Sequence, residues 1–290
     1  MTTLADAHFH WWDTSQARYP WLETETAYGF GPAHLLPKRA LPKHYRAQFG
    51  QMMRPAVHVE AGILDGMQVT EVDRIRELST PDVKAVARID LLDDAKTQLD
   101  ALDGRAVGVR HIASWDESPK WTFLEDPKLL SNVRSLKALS AIAEAGLVFE
   151  AQIYPTQAGQ LASVAAQYST LKIVVEHSGM PRWWAGKSAE QEWLNAMVEL
   201  SAHDNIALKL GGFGMTTGTF DEPRFASICA AALELFGTSR IMFGSNWPVE
   251  GLRWDPSLSV DLYLQAISSL SDTDHALLKH DNVFMWYRGA

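Results

Sequence analysis

Eight short apolar runs, separated for the most part by stretches of helical period, leave this 290-residue chain few folds to choose from. They begin at Leu4-Ala5 and recur at residues 56–60, 83–89, 106–112, 147–154, 171–177, 206–210 and 240–245. Helical patterns follow at about 70–79, 94–103, 128–145, 156–168, 189–203, 222–236 and 258–280. Strands that are apolar on both faces belong in parallel sheets covered by helices. Eight of them in β-then-α order predict an α/β fold, a closed (β/α)8 (TIM) barrel, with one domain spanning residues 1–290. Residues 14–50, rich in Pro, Tyr, Gly and His, show no sustained period. They read as a long loop over the barrel mouth, and structureless loops of that length are usually functional.

Composition narrows what such a barrel meets. Hydrophobic residues make up 47% and charged residues 21%, enough for one large core. A net charge of −9 without a basic cluster argues against nucleic acid and anionic membrane surfaces as partners. Any grip on an anion must therefore be local. No apolar run approaches the ~18 residues of a membrane span, and the first strand begins almost at once, with no leader-like segment. A cytoplasmic location is the expectation. Cys229, the sole cysteine, lies in the apolar run 228–233 and reads as helix packing. The expected partner is a small molecule, and a homo-oligomer is compatible with the sequence.

Barrel enzymes build their sites from the C-terminal ends of the strands. Those ends here carry His8 and His10, His58 and Glu60, Arg110 and His111, Glu150 and Gln152, Glu176 and His177, Lys209, and Asn246. Convergence of titratable groups from separate strands points to chemistry more strongly than any one motif. Strand alternation puts Asp6, His8 and His10 on one face, puts His58 and Glu60 on one face, and makes Glu176 and His177 point opposite ways. Arg110 offers a planar fork for a carboxylate or for lactone oxygens. Lys209 reads equally as a substrate ligand or as an ion-pair residue at the barrel rim. Tryptophans 11, 12, 121, 183, 184 and 247 fall in or near the expected mouth loops, where aromatic lining suits a small ring.

The motif Asp6-Ala7-His8-Phe9-His10-Trp11-Trp12-Asp13, followed by Tyr19-Pro20-Trp21-Leu22, resembles the opening of the lactonase branch of the amidohydrolase superfamily. Further matches come in the same order. They are 57–61 (VHVEA), 108–111 (GVRH), 175–181 (VEHSGMP), 209–212 (KLGG), Phe236-Gly237, 242–249 (MFGSNWPV), and Asn282 with Phe284 and Tyr287. The resemblance covers essentially the whole chain. It implies the barrel, and hydrolysis of small lactones such as sugar lactones or pyrone dicarboxylates. Where that branch carries Asp on the eighth strand, this chain has Asn246. In the branch that Asp resembles a general base or a metal ligand. Asn can orient water, but it cannot take a proton and is a poor ligand for zinc.

These features set the expected roles. The substrate is a small carboxylated or polyhydroxylated lactone, opened without an obligatory metal or other cofactor. His177 polarises the carbonyl or receives the water proton, Asn246 orients water, and Glu60 is the reserve base. His8, His10, Arg110, Gln152, Lys209 and Trp12 bind substrate. The alternative keeps the fold and makes the protein a metal-dependent decarboxylase, hydratase or amide hydrolase, with zinc or manganese on His8, His10 and His177. A barrel that binds a ligand without turnover is the third reading.

Overall fold

The computed structural model describes residues 3–25, 27–78 and 83–288. Its barrel strands are β1 (Leu4–Asp6), β2 (Val57–Val59), β3 (Lys84–Arg88), β4 (Gly108–Ile112), β5 (Val148–Gln152), β6 (Ile173–Val175), β7 (Ile206–Gly211) and β8 (Ile241–Gly244). From β2 to β8 each pairs in parallel with the next, in sequence order. In β4 and β5, Gly108 stands opposite Val148 and Arg110 opposite Glu150.

The first strand closes the ring. Ala7 N–H donates to the Phe243 carbonyl, and Asn246 N–H to that of His8. On the other edge Ala56 N–H donates to the Asp6 carbonyl and Val59 N–H to that of Phe9. A barrel results because the strands are built mainly from Val, Ile, Leu, Phe and Ala, while helices cover the outer face. Inside, Ala5, Ala7, Val57, Val86, Val174 and Met242 pack with Val283 of the last helix, Asn282–Trp286, and with Tyr287, which caps it.

The helices Gln68–Leu78, Ala95–Leu102, Val133–Glu144, Ala158–Gln167, Ala189–Ser201 and Glu222–Phe236 lie close to the sequence expectation. Two stretches differ. The final helical region is broken into Ser257–Ala266, Asp272–Ala276, a π-turn at Leu277–Asp281 and Asn282–Trp286. The loop 14–50 is built rather than open. It holds a hairpin (Ala27–Tyr28 with Gly31–Pro32), a short strand Arg39–Ala40 paired with Trp12–Asp13, and the helix Pro42–Phe49. Among the described residues no helix is long and apolar enough to cross a membrane.

Several buried carboxyls shape stability. Burial pushes Glu71 up to about 8, reinforced by the neighbouring Glu60 carboxylate, and pushes Asp6 up to about 6 and Glu250 up to about 7. A carboxyl raised above its unfolded value stabilises the fold below that unfolded value and loses the contribution as pH climbs through its folded value. Up to about pH 7 the buried histidines, whose values burial lowers, work the other way, so the melting temperature is expected to fall between pH 7 and pH 8.5, by about 2 °C or more. Glu71→Gln should flatten that slope in thermal melts at constant ionic strength. An equal slope in wild type and variant removes Glu71 from the account.

Candidate active site

Backbone geometry at the strand ends decides which side chains reach the mouth. Asp6 does not share a face with the histidines. Its carboxylate accepts from the N–H of His8 (3.0 Å) and of Ser245 (2.9 Å), from Ser245 Oγ (2.6 Å) and from Tyr45 OH (2.8 Å). That knot ends the regular strand, so Ala7 and His8 both face the interior, and His8 and His10 rise into the mouth. Gly244 makes room, since a Cβ there would stand 2.7 Å from the Cβ of His8.

His177 is a second departure from alternation. The strand stops at Val175, and His177 (φ 51°) and Ser178 (φ 56°) take left-handed conformations. The chain folds back, so Glu176 and His177 both face the centre, with Nε2 of His177 3.7 Å from a Glu176 oxygen. The His177 ring fits only because residue 212 is glycine, at φ 64°, where a Cβ would lie 2.2 Å from Nδ1. Asn246 is likewise left-handed (φ 51°). Non-glycine residues in this region are costly and cluster at functional sites.

Below these rings lies a charged floor. Arg110 donates from Nε to Glu60 Oε1 (2.7 Å), from Nη2 to the Glu60 carbonyl (2.6 Å) and from Nη1 to both oxygens of Glu176 (3.1 and 3.3 Å). Lys209 is bonded to both oxygens of Glu150 (2.5 and 2.6 Å), and Tyr287 OH donates to Glu150 (2.5 Å). Three carboxyls thus share two cations. Burial pushes Glu176 up to about 8 against the pull of Arg110. Glu60 is held low, because Arg110 and the Gly62 N–H outweigh the cost of its burial.

The histidines are uncharged. Burial, aided by the cations, drives His8 and His177 well below the ordinary imidazole value and His10 to about 3. Neutrality then fixes their protons. His10 Nδ1 faces the Val59 carbonyl (2.8 Å) and so carries the hydrogen, leaving Nε2 as a lone pair. His8 Nε2, 3.2 Å away, must be the donor to it. His8 Nδ1 is then a lone pair toward the Lys209 ammonium at 3.5 Å. Asn246 Oδ1 stands 3.3 Å from the same His10 Nε2, and its buried Nδ2 has no partner. Two acceptors cannot bond, so the amide is satisfied when turned end for end, with Nδ2–H and His8 Nε2–H sharing the one His10 lone pair and Oδ1 toward the open space.

That open space is a cavity of about 410 Å³ over the floor. His10, Arg110, Gln152, His177 and Asn246 line its base, as the sequence led us to expect. Four expectations are corrected. Trp12 lies behind the wall, buried, with its indole N–H on the Pro37 carbonyl (2.8 Å) and its ring edge-on to Trp21, which does line the cavity. Glu60 is tied up by Arg110 and the Gly62 N–H and presents no oxygen to the cavity as a base. Lys209 lies beneath His8 in its Glu150 pair, out of a ligand's reach. His8 too sits one layer down. Sequence reading missed the roles of Glu150, Glu176 and Tyr287 in the floor, and of Tyr28, Phe30 and Phe123 in the wall.

The donor set also fits a divalent ion. His8, Glu176 and His177 each bring a ligand atom within 4.8 Å of the others. The Nε2 atoms of His8 and His10 are separated by 3.2 Å, close to the roughly 3.3 Å between two nitrogens on a tetrahedral zinc. These spacings would admit a metal ion at the base of the mouth.

Solved structures with this fold include amidohydrolases. An amidohydrolase from Burkholderia multivorans with bound zinc superposes with a TM-score of 0.82 at 20% identity, over 99% of this chain and 100% of its own. A Pseudomonas putida protein described as a 2-pyrone-4,6-dicarboxylic acid hydrolase gives 0.73 at 18% identity, over 99% and 98%. In sequence, an L-fucono-1,5-lactonase from Burkholderia ambifaria is 29% identical over 259 residues, 87% of this chain and 82% of its own length. The amidohydrolase family profile matches residues 5–283. With a profile match from the first barrel strand to the last helix, the chain belongs to the amidohydrolase family.

Proposed function

We propose that this protein is a hydrolase that opens the ring ester of a small lactone, using its own side chains and no obligatory metal. The carrying observation is the pair His177 and Asn246 at the cavity base: an uncharged imidazole and an amide oxygen converging from two strand ends. The lactonase relatives supply the reaction class.

Asn246 Oδ1 accepts one hydrogen of a water and aims it at the ring carbonyl. His177 takes the other proton as the carbon–oxygen bond forms. Burial, Arg110, His10 and Lys209 disfavour a charged His177 in the empty site. The oxyanion that forms beside it supplies the missing negative charge, so the imidazolium becomes favourable as the tetrahedral intermediate appears. The Gln152 amide and the positive field of Arg110 face that oxyanion. Collapse breaks the bond to the ring oxygen, which takes the proton back from His177. The product is a hydroxy acid whose carboxyl releases a proton to solvent.

Two features of this chain support metal-free turnover. The Lys209 ammonium holds His8 in the tautomer whose Nε2 carries a proton, and Asn246 stands where the resemblance calls for a carboxylate ligand. A metal on His8, His10 and His177, with Glu176 beside them, would supply Lewis-acid polarisation of the carbonyl and open the way to decarboxylase, hydratase or amide hydrolase chemistry.

The test is proton release from a lactone panel, using protein purified with a chelator and its metal content measured by elemental analysis. Turnover with substoichiometric metal is expected. Activity that disappears with the chelator and returns with zinc or manganese selects the metal-dependent reading. Silence on every lactone, with and without metal, removes the hydrolase assignment.

A further inference from the structure

The walls above the catalytic base are unlike its floor. Tyr28 and Phe30, from the hairpin Ala27–Pro32, and Phe123, from the loop after β4, present three nearly parallel rings. Tyr28 lies 5.2 Å from Phe30 at 4° and 6.0 Å from Phe123 at 5°, and Phe30 lies 6.2 Å from Phe123 at 9°. Trp21, Ile112 and Met215 continue the apolar lining. The wall is fixed in place. Gly29 N–H donates to the Lys120 carbonyl (3.0 Å), Phe123 N–H to the Ser114 carbonyl (3.0 Å), and Trp121 fills the space where a Cβ on residue 29 would go.

The charged groups around this cavity are already engaged. Arg88, at the rim, is paired with Asp65 at 2.8 Å, and Arg110 is held by Glu60 and Glu176. Glu60 and Glu176 are buried with Arg110, so that guanidinium cannot leave them for a ligand carboxylate without stranding a charge. A ring bearing several hydroxyls would press them on aromatic faces and aliphatic side chains. Each buried hydroxyl left without a partner costs on the order of 10-fold in affinity.

Resting on the lactonase reading, we infer that the substrate is a neutral lactone with a flat, apolar body. Its ester is held at the His177–Asn246 base and its body lies along the Tyr28–Phe30–Phe123 wall. This replaces the carboxylated or polyhydroxylated ring that the sequence led us to expect.

Three probes separate the possibilities: 3,4-dihydrocoumarin as a neutral aryl lactone, D-glucono-1,5-lactone as a hydroxylated one, and δ-valerolactone as the bare ring. The expected kcat/KM for dihydrocoumarin exceeds that for gluconolactone by about 10²-fold or more. Phe123→Ala and Tyr28→Ala, at partly buried positions, should raise KM for dihydrocoumarin about 10-fold, and by a larger factor than KM for δ-valerolactone. Equal or better turnover of gluconolactone, or a dihydrocoumarin KM untouched by both variants, overturns the inference. Binding decides it independently of turnover, by calorimetric titration of two unhydrolysable lactams, 3,4-dihydroquinolin-2-one and gluconolactam. Tighter binding of the aryl lactam, weakened in Phe123→Ala, supports the apolar wall even if no lactone is hydrolysed. Equal or tighter binding of the sugar lactam overturns it.

Discussion

Replacing His177 with Asn is expected to lower kcat by about 10²-fold or more, because removing a proton acceptor from a water-attack step typically costs 10²–10⁴-fold. KM should change little, since His177 faces the substrate without holding its body. The limb of the pH profile that reports His177 should vanish with it. Glu60→Gln, by contrast, removes a carboxylate that serves Arg110 and not the cavity, so its damage should appear in the melting curve rather than in a lost kinetic ionisation. Asn246→Asp is the informative partner variant. It introduces a carboxylate beside His10, at the position where the resemblance calls for one, and in the His177→Asn background it should restore part of the lost turnover. Near-normal kcat in His177→Asn sinks the assignment. A gain in Asn246→Asp alone, with His177 dispensable, would mean that water reaches the lactone without the imidazole.

Arg110→Met is expected to cost about 3–5 kcal/mol of stability, the range for breaking a buried ion pair from one side. Glu60 and Glu176 would then share a dry interior with no counter-charge between them, and the melting temperature should drop by roughly 10 °C. Arg110→Lys keeps the charge but not the fork, which here spans both carboxyls, and should fall between wild type and Met. Pairing Arg110→Met with Glu176→Gln should recover part of the loss, since one orphaned carboxyl is removed. Thermal and denaturant unfolding of the four proteins checks the series. An Arg110→Met protein that melts like wild type and loses only substrate affinity returns Arg110 to the ligand role first read from its sequence position.

The strands were legible because a residue run such as Ile173–Val175 or Ile241–Gly244 is apolar on both faces, and only a covered parallel strand tolerates that. The polar residues at their ends were legible for the complementary reason: His10, Arg110, Gln152, His177 and Asn246 interrupt apolar runs and do line the cavity. Parity failed where backbones stop being extended. Nothing in the residue types at His177 and Ser178 announces a left-handed turn, and only the Gly179 that follows hints at one. At Asp6 the change of face comes from hydrogen bonds to Tyr45 and Ser245, partners 39 and 239 residues away. The same distance hid the employment of Arg110, whose carboxyl partners are 50 and 66 residues off. Trp12 and Trp21 are chemically equivalent on paper. The path of the chain between them decides which one meets a ligand.

The closure of the ring through its first strand also has a consequence for how the chain is made. One edge of that strand finds Met53–Pro55 soon after leaving the ribosome, but the other waits for Phe243 and Ser245. At about 5–20 residues per second, the wait is roughly 10 to 50 s. Through that interval the two histidines of the mouth are tethered to a half-built sheet, and the Tyr287 that completes the floor does not yet exist. Translation must therefore pass Ser245 before the first strand is paired on both edges, and a growing chain carries an open, apolar strand edge until then.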